Sequence, residues 1–134
     1  MSTDFDNEPI SHTLELPWER PPLSANRSLH WAEKARITKR IRNEIGWRVK
    51  AAINSGKLVR ANKVRVQLRY IPKTNRTRDT DNLYPTLKAI CDGIIDAGLV
   101  HDDSPEFMDK PQPIIEPTRK RYRNRVRVDI TVLD

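Results

Sequence analysis

The chain has 134 residues, enough for one domain, and carries 25 Lys and Arg against 18 Asp and Glu, a net charge of +7. No apolar run reaches the roughly 18 residues of a membrane span. The lone Cys91 excludes an internal disulfide framework and a cysteine-based zinc site. Apolar residues make up 37% and charged residues 32%, so the core is small and many basic side chains are left for the surface.

Residues 1–10 are acidic and polar with one Phe, and are expected to form a disordered tail before a domain at 11–134. They lack the basic-then-apolar order of a signal peptide, and a reducing, cytoplasmic setting is expected. His12 to Trp18 alternates loosely and reads as a first strand. Glu19 to Arg27 is a loop by its prolines, Ser and Asn. From Leu29 to Ala52 the pattern turns helical. Ile37, Ile41, Ile45, Val49 and Ala52 share one side, while Arg36, Lys39, Arg40, Trp47 and Lys50 fall on the other. Asn54-Ser55-Gly56 is a stop, and Gly46 weakens the helix interior.

Lys63 to Tyr70 alternates basic or polar with apolar residues and reads as a half-buried strand. Residues 72–80 form a basic loop. A second helix spans Leu83 to Ala97, capped by Asp81 or Asn82, with Pro85 in its first turn and Gly98 as its stop. Leu99 to Asp109 is a short extended piece and a loop. Ile114-Ile115, flanked by prolines, suits a sheet edge. Thr118 to Asn124 is a basic turn, and Arg125 to Leu133 is the clearest strand. This order predicts an α+β domain, with a small mixed or antiparallel sheet and two main helices on one face. Trp18, Trp31 and Trp47 are assigned to core or dimer packing rather than to base stacking.

The charge is unevenly spread. Between Asp79 and Asp109 stand eight acids and a single base, Lys88, a local balance of −7; the rest of the chain is +14. A solvated acidic helix explains this blandly. A divalent-metal site inside a basic cradle explains it more sharply, because hydrolysing a polyanion needs bases for the phosphates and hard oxygen ligands for the ion. If Asp79-Thr80-Asp81 is extended, both carboxylates point to one side. Lys88 and Asp92 fall opposite the stripe Leu83, Leu87, Ile90, Ile94 and Ala97. Asp102-Asp103 could return a third carboxylate toward Asp79 and Asp81. His101 is read as a loop residue, and His12 and His30 are given no role.

The segment RTRDTDNLYPTLKAICDGIIDAGLVHDD resembles the signature of RusA-type Holliday junction resolvases. The elements are Arg78-Asp79-Thr80-Asp81-Asn82, Lys88 with Asp92, Ala97-Gly98 and Asp102-Asp103. Upstream, LPWERPPLSANR resembles that family's first strand and Pro-Pro loop. The likeness spans most of Leu14 to Leu133. Tyr84-Pro85-Thr86 looks like an insertion that lengthens the gap from Asn82 to Lys88.

The resemblance implies a homodimeric, Mg²⁺-dependent endodeoxyribonuclease of DNA recombination and repair, acting on four-way junctions, with Mn²⁺ as a possible substitute. It is expected to be encoded by a phage or prophage. Its metal aspartates carry over to Asp79, Asp81 and Asp103, and its essential lysine to Lys88. Asp102 and Asp92 become supporting groups, Asp102 holding Lys88 or a metal-bound water. Lys73, Arg76 and Arg78, just before Asp79, are expected to clamp flanking phosphates, as could the basic turn Arg119, Lys120, Arg121, Arg123 and the Arg36, Lys39, Arg40 face; Asn26 and Arg27 are further expected DNA contacts. The competing expectations are a metal nuclease for another branched DNA, a catalytically idle DNA-binding protein, and an interaction protein whose acidic window docks a basic partner.

Overall fold

The computed structural model describes residues 9–25, 28–74, 78–118 and 125–134. The chain runs β1 (Ser11–Leu16), α1 (Trp31–Asn54), β2 (Val64–Tyr70), α2 (Tyr84–Asp96), β3 (Met108–Asp109), β4 (Ile114–Ile115) and β5 (Val126–Val132). A short 3₁₀ helix, Thr80–Leu83, runs directly into α2. The fold is the expected α+β domain with a mixed sheet and two helices. Of the expected tail, residues 1–8 lie outside the described part, as do Asn26, Arg27, Arg76 and most of the basic turn.

The sheet order is β1–β5–β2–β3, and β4 pairs with the same edge of β2 as β3 does, further along it. β5 is antiparallel to both β1 and β2, whereas β3 and β4 run parallel to β2. Alternation decides which side of this sheet is dry. The register aligns Leu14, Val128 and Leu68 across three strands. These residues are buried, as are Leu16, Val64, Val66, Val126 and Ile130. The intervening positions form a polar outer face, where Asp129 accepts from Thr13 Oγ1 at 2.7 Å and pairs with Arg69 at 2.6 Å. Arg127 and Glu15 pair there at 3.0 Å.

The apolar face shares one core with the helices. Ile41, Ile45, Val49 and Ala52 of α1 are buried in it, and Ile37 packs at its margin. Each fully buried aliphatic side chain contributes about 1.5–3 kcal/mol of transfer free energy. Helix α1 is continuous through Gly46. The two helices approach each other closely at Gly93, where a Cβ would meet Ile45 Cβ at 2.8 Å and the Arg42 carbonyl at 2.9 Å.

Both helices stop at glycine. Gly56 and Gly98 each adopt a φ of +79°, and each completes the paired hydrogen bonds of a left-handed C-terminal motif. The start of α2 departs from the expected cap. Neither Asp81 nor Asn82 caps it; instead Asp79 caps the preceding 3₁₀ helix, and Pro85 sits at the start of α2 where a missing N–H costs nothing.

Trp18 packs against the core, but Trp31 and Trp47 are 76% and 77% exposed, so neither belongs to the core of this chain. Trp47 follows from its phase, opposite the isoleucine stripe.

Candidate functional site

The acidic window folds into three pieces: the turn at Asp79–Leu83, one side of α2, and the loop at 101–104. In the first piece, Asp79 is extended, with φ −95° and ψ 125°, but Asp81 already lies in the 3₁₀ helix. Asp79 Oδ1 accepts the Asp81 backbone N–H at 3.0 Å. The expectation of two carboxylates presented side by side from an extended segment is therefore corrected. A short carboxylate followed by free N–H groups favours capping over continued extension. Both aspartates remain exposed.

The second and third pieces meet at Lys88. Its ammonium donates to Asp103 Oδ2 at 2.8 Å and to Asp92 Oδ1 at 3.1 Å. The i,i+4 spacing on α2 supplies Asp92, as the sequence suggested. The turn after Gly98 returns the chain so that Asp103 supplies the second carboxylate. These hydrogen bonds, to Asp103 first and Asp92 second, raise the Lys88 pKa above its ordinary value. The same bond to Lys88 lowers the carboxyl of Asp103 below its ordinary value. Asp102 does not hold Lys88; it accepts the Asp103 backbone N–H at 2.8 Å and so shapes the turn that aims Asp103.

A further base joins them. Lys110 Nζ stands 3.8 Å from Asp103 Oδ2. Two residues on, Gln112 Nε2 donates to Thr80 Oγ1 at 2.7 Å, while its own carbonyl accepts from Gln67 at 2.9 Å. The strap 110–112 thus touches both the Asp103 cluster and the Asp79–Asp81 turn. Sequence reading passed over Lys110 because it falls one place beyond the acidic window. Its only signal was a lysine leading into an extended Pro-Gln-Pro.

Three loop roots gather near the end of β2. Arg125 is buried and donates from Nη1 to the carbonyls of Ile71 and Pro72, at 3.2 and 3.0 Å. Thr118 also donates to the Pro72 carbonyl. Lys73 pairs with Glu19 at 2.9 Å, joining the proline-rich loop to the basic loop. Arg78 folds back on Thr74, with bonds of 2.6 and 3.0 Å, and lies over the Tyr70 ring. The roots of the basic loop and of the basic turn therefore stand together.

Thr86, from the apparent insertion, is buried. It accepts the Leu23 N–H at 3.1 Å and donates to the Leu23 carbonyl at 2.8 Å. It fastens the proline-rich loop to α2.

Asp79, Asp81 and Asp103 are hard oxygen donors of the class that suits Mg²⁺ or Mn²⁺. Among the described residues, however, no three His, Cys, Asp or Glu side chains are gathered closely enough to hold an ion. Asp103 is instead engaged by two lysines. His101 stacks edge-on against Phe107, with ring centroids 5.2 Å apart. Cys91 is buried, which pushes its thiol up to about 12 and leaves no thiolate for nucleophilic chemistry near neutral pH. Comparison with protein-family models finds no match, and comparison with curated proteins finds none.

Proposed function

We propose that the chain is an endodeoxyribonuclease that hydrolyses phosphodiesters in four-way DNA junctions, working as a homodimer with Mg²⁺. The observation that supports this best is the cluster of Lys88, Asp92 and Asp103. It brings together residues matching separate parts of the junction-resolvase signature, and a three-residue strap links it to the Asp79–Asp81 turn. The gathered roots of two basic segments add a surface suited to phosphates.

The role of Lys88 follows from its partners. Two carboxylates hold its amine protonated, so near neutral pH it cannot serve as a general base. It acts as a fixed positive charge that offsets the charge developing on a phosphoryl oxygen. Asp92 and Asp103 position it; Asp102 positions Asp103. Magnesium enters this reading on donor chemistry alone. Among the described residues, the three aspartates are not gathered around one point. A homodimer suits a substrate with two-fold symmetry, because paired nicks need two equivalent sites.

The test is a labelled four-way junction incubated with Mg²⁺ or with chelator, using wild type and Asp81→Asn. The expected result is paired symmetric nicks that need the metal and fall at least about 100-fold in the variant, the size of losing one electrostatic group at a reacting centre. Binding without cleavage in every arm overturns the enzyme reading and leaves a catalytically idle DNA-binding protein. Equal cleavage of linear duplex overturns the junction preference.

A further inference from the structure

The sheet ends on one side at β1, which pairs with β5 alone, so no described strand lies beyond it. The Ile10 carbonyl accepts from the Val132 N–H at 2.8 Å. In an antiparallel ladder this fixes the alternation. His12, Leu14 and Leu16 turn their backbone groups to β5, and Ser11, Thr13 and Glu15 turn theirs to the open side. The Glu15 carbonyl agrees with this direction, since Arg48 of α1 donates to it from outside the ladder at 3.2 Å. Natural edges are commonly blunted by an internal proline, a lysine or a bulge. β1 has none of these. Instead Pro9 and Pro17 stand just outside it, in phase with the outward-turned set, and each is four positions from Thr13. Neither has the N–H that would extend a ladder.

A groove runs along this edge. His12 to Glu15 line one side of it, and Arg48, Ala51 and Ser55 at the end of α1 line the other. At ~100° per residue, Glu33, Arg40, Glu44, Arg48 and Ala51 share an arc of about 80° on α1. Arg48 and Ala51 set that flank toward β1, whereas Arg42 and Gly46, beyond the buried stripe, face α2. The flank toward β1 carries two acids and two bases, so its charge is balanced. The outer face of the helix, with Arg36, Lys39 and Lys50, is basic.

A nucleic acid has no amide ladder to offer this edge and would meet Glu33 and Glu44 beside it. An added strand of protein satisfies the outward groups. The edge is also complementary to itself. Placed antiparallel about a two-fold axis through Thr13, Ser11 faces the partner's Glu15 and Thr13 faces the partner's Thr13. Pro9 then falls opposite the partner's Pro17, which ends the ladder alike at both ends. The Glu15 carbonyl has a second lone pair for this bond beside the one that Arg48 uses. The same axis turns the balanced flanks of the two α1 helices toward each other, where bases can meet acids.

We infer that β1 is the homodimer interface: two copies join edge to edge through Ser11, Thr13 and Glu15 into one continuous sheet, with the α1 flanks beside the join. This rests on the proposed function for the existence of a homodimer and names the surface that forms it. The join leaves the Lys88 cluster free. β3, which leads into Lys110, lies at the other edge of the sheet, so the two clusters stand toward opposite ends of the joined sheet.

The experiment uses the full chain without DNA, by sedimentation velocity over a concentration series. Wild type is expected to sediment as a dimer. Thr13→Pro deletes the outward N–H at the centre of the join and keeps the bonds to β5. It is expected to raise the dimer dissociation constant about 100-fold, one factor of ten for each of the two central bonds lost. Thr13→Val keeps the N–H, removes only the hydroxyl bonded to Asp129, and is expected to stay dimeric. Ala51→Arg crowds the exposed helix flank without touching the strand and is expected to give monomer. Hydrogen exchange reads the join directly: the Thr13 amide is protected in wild type and loses protection in Ala51→Arg, while the Leu14 amide, held by β5, is protected in both. Circular dichroism checks folding; if Thr13→Pro does not fold, Ala51→Arg and exchange decide. A dimer that survives in folded Thr13→Pro or in Ala51→Arg, or an unprotected Thr13 amide in the wild-type dimer, overturns the inference and assigns the dimer to another face, leaving the nuclease reading in place. Monomer in Thr13→Val overturns strand pairing and assigns the effect to the bond with Asp129. A monomeric wild type overturns the interface and the homodimer together, while the junction assay judges cleavage separately.

Discussion

At the scale of the residue, one hydroxyl decides how the proline-rich loop sits. Thr86 satisfies both the N–H and the carbonyl of Leu23 in a buried setting. Thr86→Val keeps the shape and removes both partners, so two buried backbone groups go unpaired. The expected loss is about 1–3 kcal/mol in urea unfolding, with Thr86→Ser much milder. Equal stability of the valine variant would show that the loop is not docked in this way. The sequence displayed the charged residues of the candidate site well, because Lys88 and Asp92 follow from helix spacing alone. It did not display Lys110, whose relevance depends on a fold-back that no local spacing encodes. Nor did it display the cap at Asp79, because a D-x-D segment is compatible with either extension or a turn.

At the scale of the element, helices and long strands were readable because their apolar periods are long enough to be distinctive. The stripe of α1 and the alternation of β2 and β5 are the clearest cases. β3 and β4 contain two residues each and have no period to read; β4 was suggested only by Ile114-Ile115 between prolines. The packing of α1 on α2 was also hidden, because it turns on a residue with no side chain. Gly93 permits the approach, and Gly93→Ala would place a methyl group 2.9 Å from a backbone carbonyl that cannot rotate away. Alanine gains about 1 kcal/mol in helix propensity. Overpacking costs about 1–3 kcal/mol, and more where backbone must move. The expected outcome is a net loss of stability in thermal unfolding. A variant as stable as wild type would mean that the helices slide apart at little cost.

At the scale of the whole molecule, the net charge of +7 is organised rather than diffuse. Acids cluster around Lys88, bases line α1, and Arg42–Asp96 joins the two regions. This pair gives a pH signature. The hydrogen bond from Arg42 holds the Asp96 carboxyl below its ordinary value of 3.8, and the bond from Lys88 does the same for Asp103. Each contributes stability that is present above the ordinary carboxylate value and is lost as pH falls through the lowered one. The Arg42 and Asp96 side chains are 42% and 44% exposed, so solvent screening limits the pair to roughly 0.2–1 kcal/mol. Melting curves from about pH 6 down to pH 2 are expected to fall less steeply for Asp96→Asn than for wild type. Parallel curves would show that the pair contributes nothing.

The bond between Thr86 and Leu23 also provides a local clock. The Leu23 amide proton is held by a side chain rather than by a sheet ladder, so its exchange with solvent reports the lifting of one loop. That loop is tied through Glu19 and Lys73 to the basic segment leading to Asp79. A nucleic acid that draws Lys73 away from Glu19 would therefore change the Leu23 exchange rate before any bond in the substrate is cut. One backbone proton can thus time the arrival of a ligand separately from the chemistry that follows.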